Sequence, residues 1–425
     1  MTLLTDSAEA AAFCRRLADE DFVTIDTEFM RERTFWPKLC LVQLAGADES
    51  HAIDPLADGM DLGPLYTLLA DTGVLKVMHG ARQDIEIFVH QDGRVPAPLF
   101  DTQIAAMVCG FGDQVGYETL IARLTGHRLD KSSRFTDWSA RPLTERQITY
   151  ALGDVTHLRT AYAALRDQIE ENGRMGWLGE ELASLTDPGP YVPDPETAWQ
   201  RLKPRSRDPQ FLSVLRAAAA WRERESMERD IPRNRELRDE ALSEIAAHPP
   251  RDAAALERVR GVGRGFGASR AGGDLLAAVQ VALALPRDAA PAPLQHDTAR
   301  GPQPVVDLLK VLLKYKCEHH HVAQKLVASS DDLHRIAEND EADVAALRGW
   351  RRELFGADAL RIKHGELALG AHGLAVALMP VTGEAADRSE LQTAAPAPNP
   401  RRRRKRRRRR SNGGDAAGAT DAKQA

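Results

Sequence analysis

The chain has 425 residues, with 62 Asp and Glu against 57 Lys and Arg and a formal net charge of −5. This length predicts roughly two to four domains with hydrophobic cores. No apolar run is long enough to span a bilayer, and residues 1–16 lack the pattern of a signal peptide, so we expect a cytoplasmic protein. The four cysteines are scattered without a Cys-x-x-Cys pair, which predicts reduced thiols and argues against a disulfide framework or a zinc cluster.

The charge is distributed unevenly along the chain. Residues 1–200 contain 17 Lys and Arg against 32 Asp and Glu, a net charge of −15. Residues 201–286 carry +4, residues 287–400 carry −3 and residues 401–425 carry +9. Because the acidic body repels polyanions, we expect the basic middle segment and the basic C-terminal segment to recruit them.

Residues 1–175 alternate between strand-like and helix-like patterns, which is typical of α/β architecture. Apolar runs bounded by turn residues predict strands over 22–29, 39–45, 51–53 and 74–78. Helical periodicity predicts helices over 8–18, 63–70, 81–90 and 145–171. We therefore expect a sheet with helices packed against it.

The rest of the chain is predicted to consist of helical units joined by linkers. A turn-rich connector covers residues 176–206. Helical spacing of apolar residues predicts all-α units over 207–286 and 303–379, separated by a Pro/Ala-rich linker at 287–302. Residues 380–425 include ten consecutive arginines and lysines, and this composition predicts a disordered tail.

Two acidic residues, Asp26 and Glu28, lie two positions apart in the predicted strand 22–29. Because side chains alternate between the faces of a strand, both carboxylates point to one face, and Thr27 and Phe29 point to the other, into the core. Adjacent carboxylates repel each other and are costly to bury unless a cation or a proton neutralises them. The pair indicates a hard divalent metal with oxygen ligands, and an acidic strand end in solvent is the alternative.

Further acidic residues occur at two predicted helix starts. Asp84 falls in the first turn of the predicted helix 81–90, where the helix dipole stabilises a carboxylate. A capping-box pattern at residues 144–147 starts the next helix and places Tyr150 and Asp154 one turn apart on one face. Taken alone, each of these features is more typical of ordinary polar residues near a helix start.

In combination, the four acids and the tyrosine occur in the order found in the DEDDy 3′–5′ exonucleases, and the chain most closely resembles the ribonuclease D family. Residues 26–44, 79–88 and 150–162 resemble the three catalytic motifs of that family. The resemblance implies an α/β ribonuclease-H-like exonuclease domain over residues 1–175, with a mixed sheet flanked by helices.

The helical units also resemble parts of this family. Residues 207–286 resemble an HRDC domain, through Trp221 and the segments 230–234 and 256–261. Residues 303–379 resemble a second HRDC domain. The resemblance therefore implies two all-α HRDC-type domains between the exonuclease domain and the basic tail.

The resemblance implies 3′–5′ hydrolysis of RNA with two divalent ions, Mg²⁺ or Mn²⁺, and release of nucleoside 5′-monophosphates. In this scheme Asp26 binds both ions, Glu28 and Asp154 complete the shell of the first, and Asp84 serves the second. Tyr150 would hydrogen-bond the attacking water and aim it at the phosphorus. The implied substrates are tRNA precursors and other structured RNAs.

Residues around the predicted site are candidates for contacts with RNA. Aromatic and apolar side chains could stack on terminal bases, and basic side chains could bind phosphates. The candidates are Phe29, Met30, Phe35 and Trp36 for stacking, and Lys131, Arg134 and Arg141 for phosphates. Packing of a loop on the protein and ordinary surface charge are the respective alternatives.

Two other functions fit part of the pattern. A DNA 3′–5′ exonuclease would use the same acids, because discrimination between sugars depends on contacts with the 2′-hydroxyl. A non-catalytic RNA-binding scaffold is disfavoured because none of the four acids is missing. The cationic run at 401–410 fits association with RNA or the ribosome, with a nuclear localisation signal as the alternative. The glycine-rich segment 261–267 predicts a turn between helices.

Overall fold

The N-terminal part of the chain forms a six-stranded mixed sheet in the computed structural model, which describes residues 2–128, 136–292, 302–373 and 375–381. The strands are β1 (Thr2–Leu4), β2 (Phe22–Met30), β3 (Lys38–Ala45), β4 (Ser50–Ile53), β5 (Leu75–Met78) and β6 (Leu99–Asp101). Their order across the sheet is β1-β4-β3-β2-β5-β6. Strand β2, which carries the first pair of acids, therefore lies inside the sheet with a neighbour on each edge.

Helices pack against both faces of this sheet. They are α1 (Ser7–Leu17), α2 (Gly63–Ala70), α3 (Arg82–Asp92), α4 (Thr102–Val108), α5 (Tyr117–Thr125), α6 (Glu145–Glu171) and α7 (Met175–Leu185). Apolar side chains of α1, α2 and α3 share one core with one face of β2 and β3. Helix α6 packs on the opposite face through Ala151 and Leu152. The predicted mixed sheet flanked by helices is confirmed.

The pairing of β2 determines what lies near its carboxyl end. It runs antiparallel to β3, with Asp26 opposite Gln43, and parallel to β5, with Thr24 opposite Val77. The Thr24 hydroxyl donates a hydrogen bond of 2.8 Å to the Val155 carbonyl and so holds α6 against the sheet. The carboxyl ends of β2 and β5 thus meet beside the N-terminal half of α6.

The first helical unit contains five described helices around one core. They are α8 (Pro209–Glu228), α9 (Arg233–Glu236), α10 (Asp239–Ala247), α11 (Ala253–Glu257) and α12 (Arg270–Ala284). The glycine-rich segment forms the turn between α11 and α12, as expected. This turn packs tightly on α12, because a Cβ at Gly272 would lie 2.0 Å from the Phe266 carbonyl oxygen.

The second helical segment contains α13 (Gln303–His320), α14 (Gln324–Val327), α15 (Ser330–Glu338), α16 (Gly349–Arg351) and α17 (Ala357–Lys363). The chain then forms an antiparallel hairpin of β7 (Leu367–His372) and β8 (Ala375–Pro380). This hairpin corrects the prediction of an all-α unit through residue 379. Apart from His372, its strands consist of apolar residues, and Gly373 at the turn has φ +61°, a value suited to tight hairpin turns.

The described residues after Ala359, including the hairpin, form a compact unit separate from residues before them. The predicted tail covered residues 380–425, but Pro380 belongs to β8, and residues from 382 onward lie outside the described part of the chain. The domain boundaries drawn from sequence therefore remain predictions. Among the described helices, none combines the length and the apolar character needed to cross a membrane.

Candidate active site

Strand β2 and helix α6 together bring three acids to one point. Asp26 and Glu28 project from the β2 face that lies beneath α6, and Asp154 projects from α6 towards them. One carboxylate oxygen of each lies within 4.8 Å of the others. The predicted capping box starts α6, with the Thr144 hydroxyl accepting from the backbone N–H of Gln147. The helix start and the strand register together produce this cluster.

The fourth acid, Asp84, reaches the site from the first turn of α3. Its carboxylate accepts a short hydrogen bond from the Thr27 hydroxyl, and it is 7 % exposed. Thr27 lies between Asp26 and Glu28 on β2, so this bond ties α3 directly to the strand. Asp84 lies close enough to Asp26 for the two negative charges to repel each other.

The buried carboxylate of Asp101 anchors the turn that leads into α3. It accepts hydrogen bonds from the backbone N–H groups of Gly80 at 3.1 Å and Ala81 at 2.8 Å. The same carboxylate caps the N-terminus of α4 by accepting from the backbone N–H groups of Gln103 and Ile104. One side chain therefore fixes both the approach to Asp84 and the start of the next helix.

Asp26, Glu28 and Asp154 line a cavity of about 670 Å³, together with Phe29, His79, Tyr117, Glu118 and Tyr150. Phe29 borders it because a bulge interrupts the strand register between Glu28 and Phe29. Phe29 packs against the core, as predicted, and also borders the cavity. None of the described residues that line this cavity is a lysine or an arginine.

Burial and mutual repulsion make the four carboxylates difficult to ionise. Burial, with the charge of Asp84, raises the pKa of Asp26 well above its usual range. Burial and the charge of Asp154 raise the pKa of Glu28 to about 8. Burial is also the main cause that raises the pKa of Asp84 and of Asp154 to about 7.

The donor set fits a hard divalent cation. Its atoms are carboxylate oxygens, which Mg²⁺ and Mn²⁺ prefer, and no cationic side chain among the described lining residues neutralises them. A bound cation would offset the repulsion that raises the pKa values of these acids.

Tyr150 and Tyr117 contact Asp154 from different sides. The Tyr150 hydroxyl hydrogen-bonds the Asp154 side chain, and burial raises the pKa of Tyr150 above its usual range, so the phenol keeps its proton. The Tyr117 hydroxyl donates to the backbone carbonyl of Asp154 and thereby holds α5 against the catalytic turn of α6.

Sequence reasoning missed Tyr117, Glu118 and His79. Tyr117 and Glu118 open α5, and Glu118 repels the charge of Asp154. The His79 Nδ1 lies 3.0 Å from the Thr102 hydroxyl, and burial lowers the pKa of the imidazole. A first-turn glutamate after Gly116 was the available signal for α5, but nothing in the sequence linked that helix to the acids.

The other predicted stacking residues make contacts within the protein. Met30 packs against the cluster that contains Leu41 and Trp138. Phe35 is 6 % exposed, and the Trp36 ring stacks on His90 with centroids 3.8 Å apart. These contacts favour the alternative in which the segment after β2 packs on the protein. Among the predicted phosphate ligands, Lys131 and Arg134 lie outside the described residues.

The structure argues against the prediction that Arg141 binds phosphate. Its guanidinium donates to both carboxylate oxygens of Asp54, at 2.7 and 2.6 Å. The remaining donors bond the backbone carbonyls of Cys40, Trp138 and Ala140. All five N–H groups are therefore used within the protein, and Arg141 holds the segment before α6 against the sheet.

Fold and site together define a 3′–5′ exonuclease. The sequence model of the 3′–5′ exonuclease family matches residues 1–170, and the model of the HRDC domain matches residues 211–279. The first match includes all four acids and Tyr150. The second HRDC domain, over residues 303–379, remains a prediction.

Named relatives identify the family more narrowly. Ribonuclease D of Granulibacter bethesdensis is 54 % identical over 380 residues, which cover 89 % of this chain and 96 % of that protein. Ribonuclease D of Jannaschia sp. is 49 % identical over 383 residues, covering 89 % and 99 %. The chain belongs to the ribonuclease D family and is a 3′–5′ exoribonuclease.

A solved structure agrees with this assignment. The crystal structure of Escherichia coli RNase D, an exoribonuclease involved in structured RNA processing, superposes with a TM-score of 0.73 at 31 % identity. The match covers 85 % of this chain and 98 % of that one. The shared fold thus extends beyond the exonuclease domain.

The raised pKa values predict that the stability of the metal-free protein depends on pH and that a bound metal ion removes this dependence. The folded protein holds protons on these acids more tightly than the unfolded chain, whose carboxyl groups titrate near pH 4. The contribution of the cluster to stability is therefore present at low pH and is lost as the pH rises towards about 8. Without metal, we expect the melting temperature to fall by a few degrees between about pH 5 and about pH 8, measured by calorimetry.

Mg²⁺ should raise the melting temperature most at the upper end of this range. Asp154→Asn should flatten the metal-free profile, because it removes one of the repelling charges. Identical profiles for the variant and the wild type would show that the cluster does not control the pH dependence.

Replacing Arg141 separates its structural role from phosphate binding. Arg141→Gln leaves the Asp54 carboxylate, whose side chain is 4 % exposed, without its charged partner. We expect the free energy of unfolding in urea to fall by about 3 kcal/mol, with KM for RNA unchanged. Arg94→Gln is the matched control, because its ion pair with Asp92 is exposed and contributes little. A raised KM at unchanged stability would restore the phosphate-binding interpretation.

Proposed function

We propose that this exoribonuclease trims the 3′ ends of tRNA precursors and other structured RNAs, and releases nucleoside 5′-monophosphates one at a time. The acidic cluster at the base of the cavity carries this proposal, because the cavity is open to solvent and large enough for a terminal nucleotide. Processing of structured RNA by the Escherichia coli relative supports the choice of substrate.

We further propose that the site uses two divalent ions, Mg²⁺ or Mn²⁺. Asp26 would contact both ions, Glu28 and Asp154 would hold the first, and Asp84 would hold the second. When bound, the ions activate the attacking water and stabilise the charge that develops on the phosphate and the leaving 3′ oxygen. Asp84 lies outside the group of three acids whose carboxylate oxygens are within 4.8 Å of one another, and this supports a division between two ions.

Tyr150 would orient the attacking water. Its raised pKa keeps the phenol protonated, so it can donate to Asp154 and still accept a hydrogen bond from a water molecule. It therefore serves better as a positioning group than as a general base. Phe29, at the edge of the cavity, would pack against the terminal base.

Arginines that form no ion pair within the described part of the protein would recruit the RNA. Many arginines of the first helical unit are paired with acids, including Arg216 and Arg224, which both bond Glu196. Around the turn between α11 and α12, Arg258, Arg260 and Arg264 are exposed. Within the described part of the chain, none of these three has an ion pair.

The cationic run at 401–410 would add a second contact with RNA or the ribosome. We infer that the enzyme works in the cytoplasm, where its four free and buried cysteines would remain reduced.

The central experiment is digestion of a tRNA that carries a 3′ trailer. We expect single-nucleotide laddering with Mg²⁺ or Mn²⁺ and none with EDTA. Asp154→Asn should abolish laddering with the fold intact, and Tyr150→Phe should cost less, on the order of 100-fold in kcat. A matched DNA strand tests the sugar preference. Release of mononucleotides in EDTA would contradict the metal-dependent scheme, and intact trailers would contradict the proposed substrate.

The unpaired arginines make a separate prediction about salt dependence. Changing Arg258, Arg260 and Arg264 to Gln should weaken RNA binding and reduce the slope of log K against log salt by roughly one per lost phosphate contact. Turnover on a short oligonucleotide should not change.

The matched control replaces three exposed but paired arginines, Arg216, Arg224 and Arg287, and makes the same change in net charge. Equal slopes for the two triple variants would show that net charge alone, and not this turn, recruits RNA. Binding can be measured by fluorescence anisotropy over a salt series.

A further inference from the structure

The segment between β2 and β3, residues 31–37, is held by a side chain from the first helical unit. We call this segment the β2–β3 loop. The carboxylate Oδ1 of Asp230 accepts hydrogen bonds from the backbone N–H groups of Phe35, at 3.0 Å, and Trp36, at 2.9 Å. Asp230 lies almost 200 positions further along the chain, so the HRDC domain reaches directly into the exonuclease domain.

A second contact strengthens this junction. The Arg233 guanidinium lies over the Phe35 ring, 4.2 Å from its centroid, and the ring is almost completely buried. An arginine on an aromatic face is attracted by the electrons of the ring, and the attraction grows when solvent is excluded. Asp230 thus holds the loop backbone, and Arg233 covers one of its side chains.

The β2–β3 loop in turn contacts the helix that carries Asp84. Arg31 forms an ion pair with Glu86 at 2.6 Å, and Trp36 stacks on His90. Glu86 and His90 belong to α3, the helix whose first turn contains Asp84. The loop also begins directly after β2, three positions beyond Glu28. It therefore connects the two elements that supply three of the four catalytic acids.

Asp230 has a backbone conformation that favours glycine. It ends α8 in a Schellman motif, in which the Ile231 N–H bonds the Ser226 carbonyl and the Asp230 N–H bonds the Met227 carbonyl. Asp230 has φ +48°, at a position where helices usually place glycine. Glycine would serve the helix end better, but it would leave the loop N–H groups without this acceptor.

We propose that Asp230 is a positioning residue through which the HRDC domain fixes the β2–β3 loop and thereby the edge of the active-site cavity. The loop begins two positions after Phe29, which borders that cavity. A mobile loop would therefore loosen the cavity wall against which the 3′ end of the RNA would lie. In this proposal the HRDC domain not only recruits RNA but also fixes the edge of the active-site cavity on the side where the substrate binds.

The test compares Asp230→Gly with Asp230→Asn in the full chain. Glycine fits the backbone conformation and removes both hydrogen bonds, whereas asparagine tolerates the conformation and keeps a side-chain oxygen as acceptor. In the glycine variant we expect trypsin to cut after Arg31 or Arg33 about tenfold faster under native conditions, as two lost hydrogen bonds would allow. KM for RNA should rise at least about threefold, with kcat changed by less than about twofold.

The melting temperature of the glycine variant should change little, because the relieved strain at the helix end offsets the loss of the two hydrogen bonds. The asparagine variant should match the wild type in proteolysis, KM and melting temperature. The proteolysis requires no catalysis, so its result stands apart from the proposed substrate.

Three results would overturn the proposal. Wild-type proteolysis and KM in the glycine variant would show that the loop does not need Asp230. A lower melting temperature with wild-type proteolysis of the loop would show that Asp230 stabilises its own domain. An asparagine variant as impaired as the glycine variant would show that the oxygen acceptor is not the cause.

Discussion

Repulsion among four carboxylates, one buried and three half-buried, is the constraint that the rest of the catalytic domain must satisfy. Asp26, Glu28 and Asp154 crowd within 4.8 Å, and Asp84 adds its charge from a neighbouring helix. Groups that repel one another stay together only if stronger contacts hold the elements that carry them. Those contacts are the antiparallel register of β2 with β3, the parallel register with β5, and the apolar packing on both faces of the sheet.

Polar contacts then supply the precision that apolar packing lacks. Thr24 holds α6 to the strand, Thr27 holds Asp84, and Tyr117 holds the turn of α6 that contains Asp154. Each is a directional bond from an uncharged hydroxyl, so none of them neutralises the cluster. The arrangement keeps the acids close while leaving their charge to be balanced by cations, and this is the condition for tight binding of divalent ions and for catalysis that depends on them.

The features that could be predicted from sequence are those that depend on local rules, such as the alternation of side chains along a strand and the capping of a helix. Alternation along the strand placed Asp26 and Glu28 on one face, and the capping box at residues 144–147 located the start of α6. The predicted strands correspond to β2, β3, β4 and β5, whereas β1 and β6 were missed because three residues are too few to show a period. Helix α4 was missed because its residues are apolar on most sides, which leaves no amphipathic pattern.

What the sequence could not predict depends on contacts between distant residues. The sequence does not reveal that Arg141 pairs with Asp54, or that Asp230 and Arg233 contact the segment that contains Phe35 and Trp36.

The single carboxylate of Asp101 holds both the turn before Asp84 and the first turn of α4. A substitution of Asp101 would release both segments at once. Homologues that alter this anchor should therefore have remodelled both segments at once, and such lineages would mark where the second catalytic motif has changed its architecture.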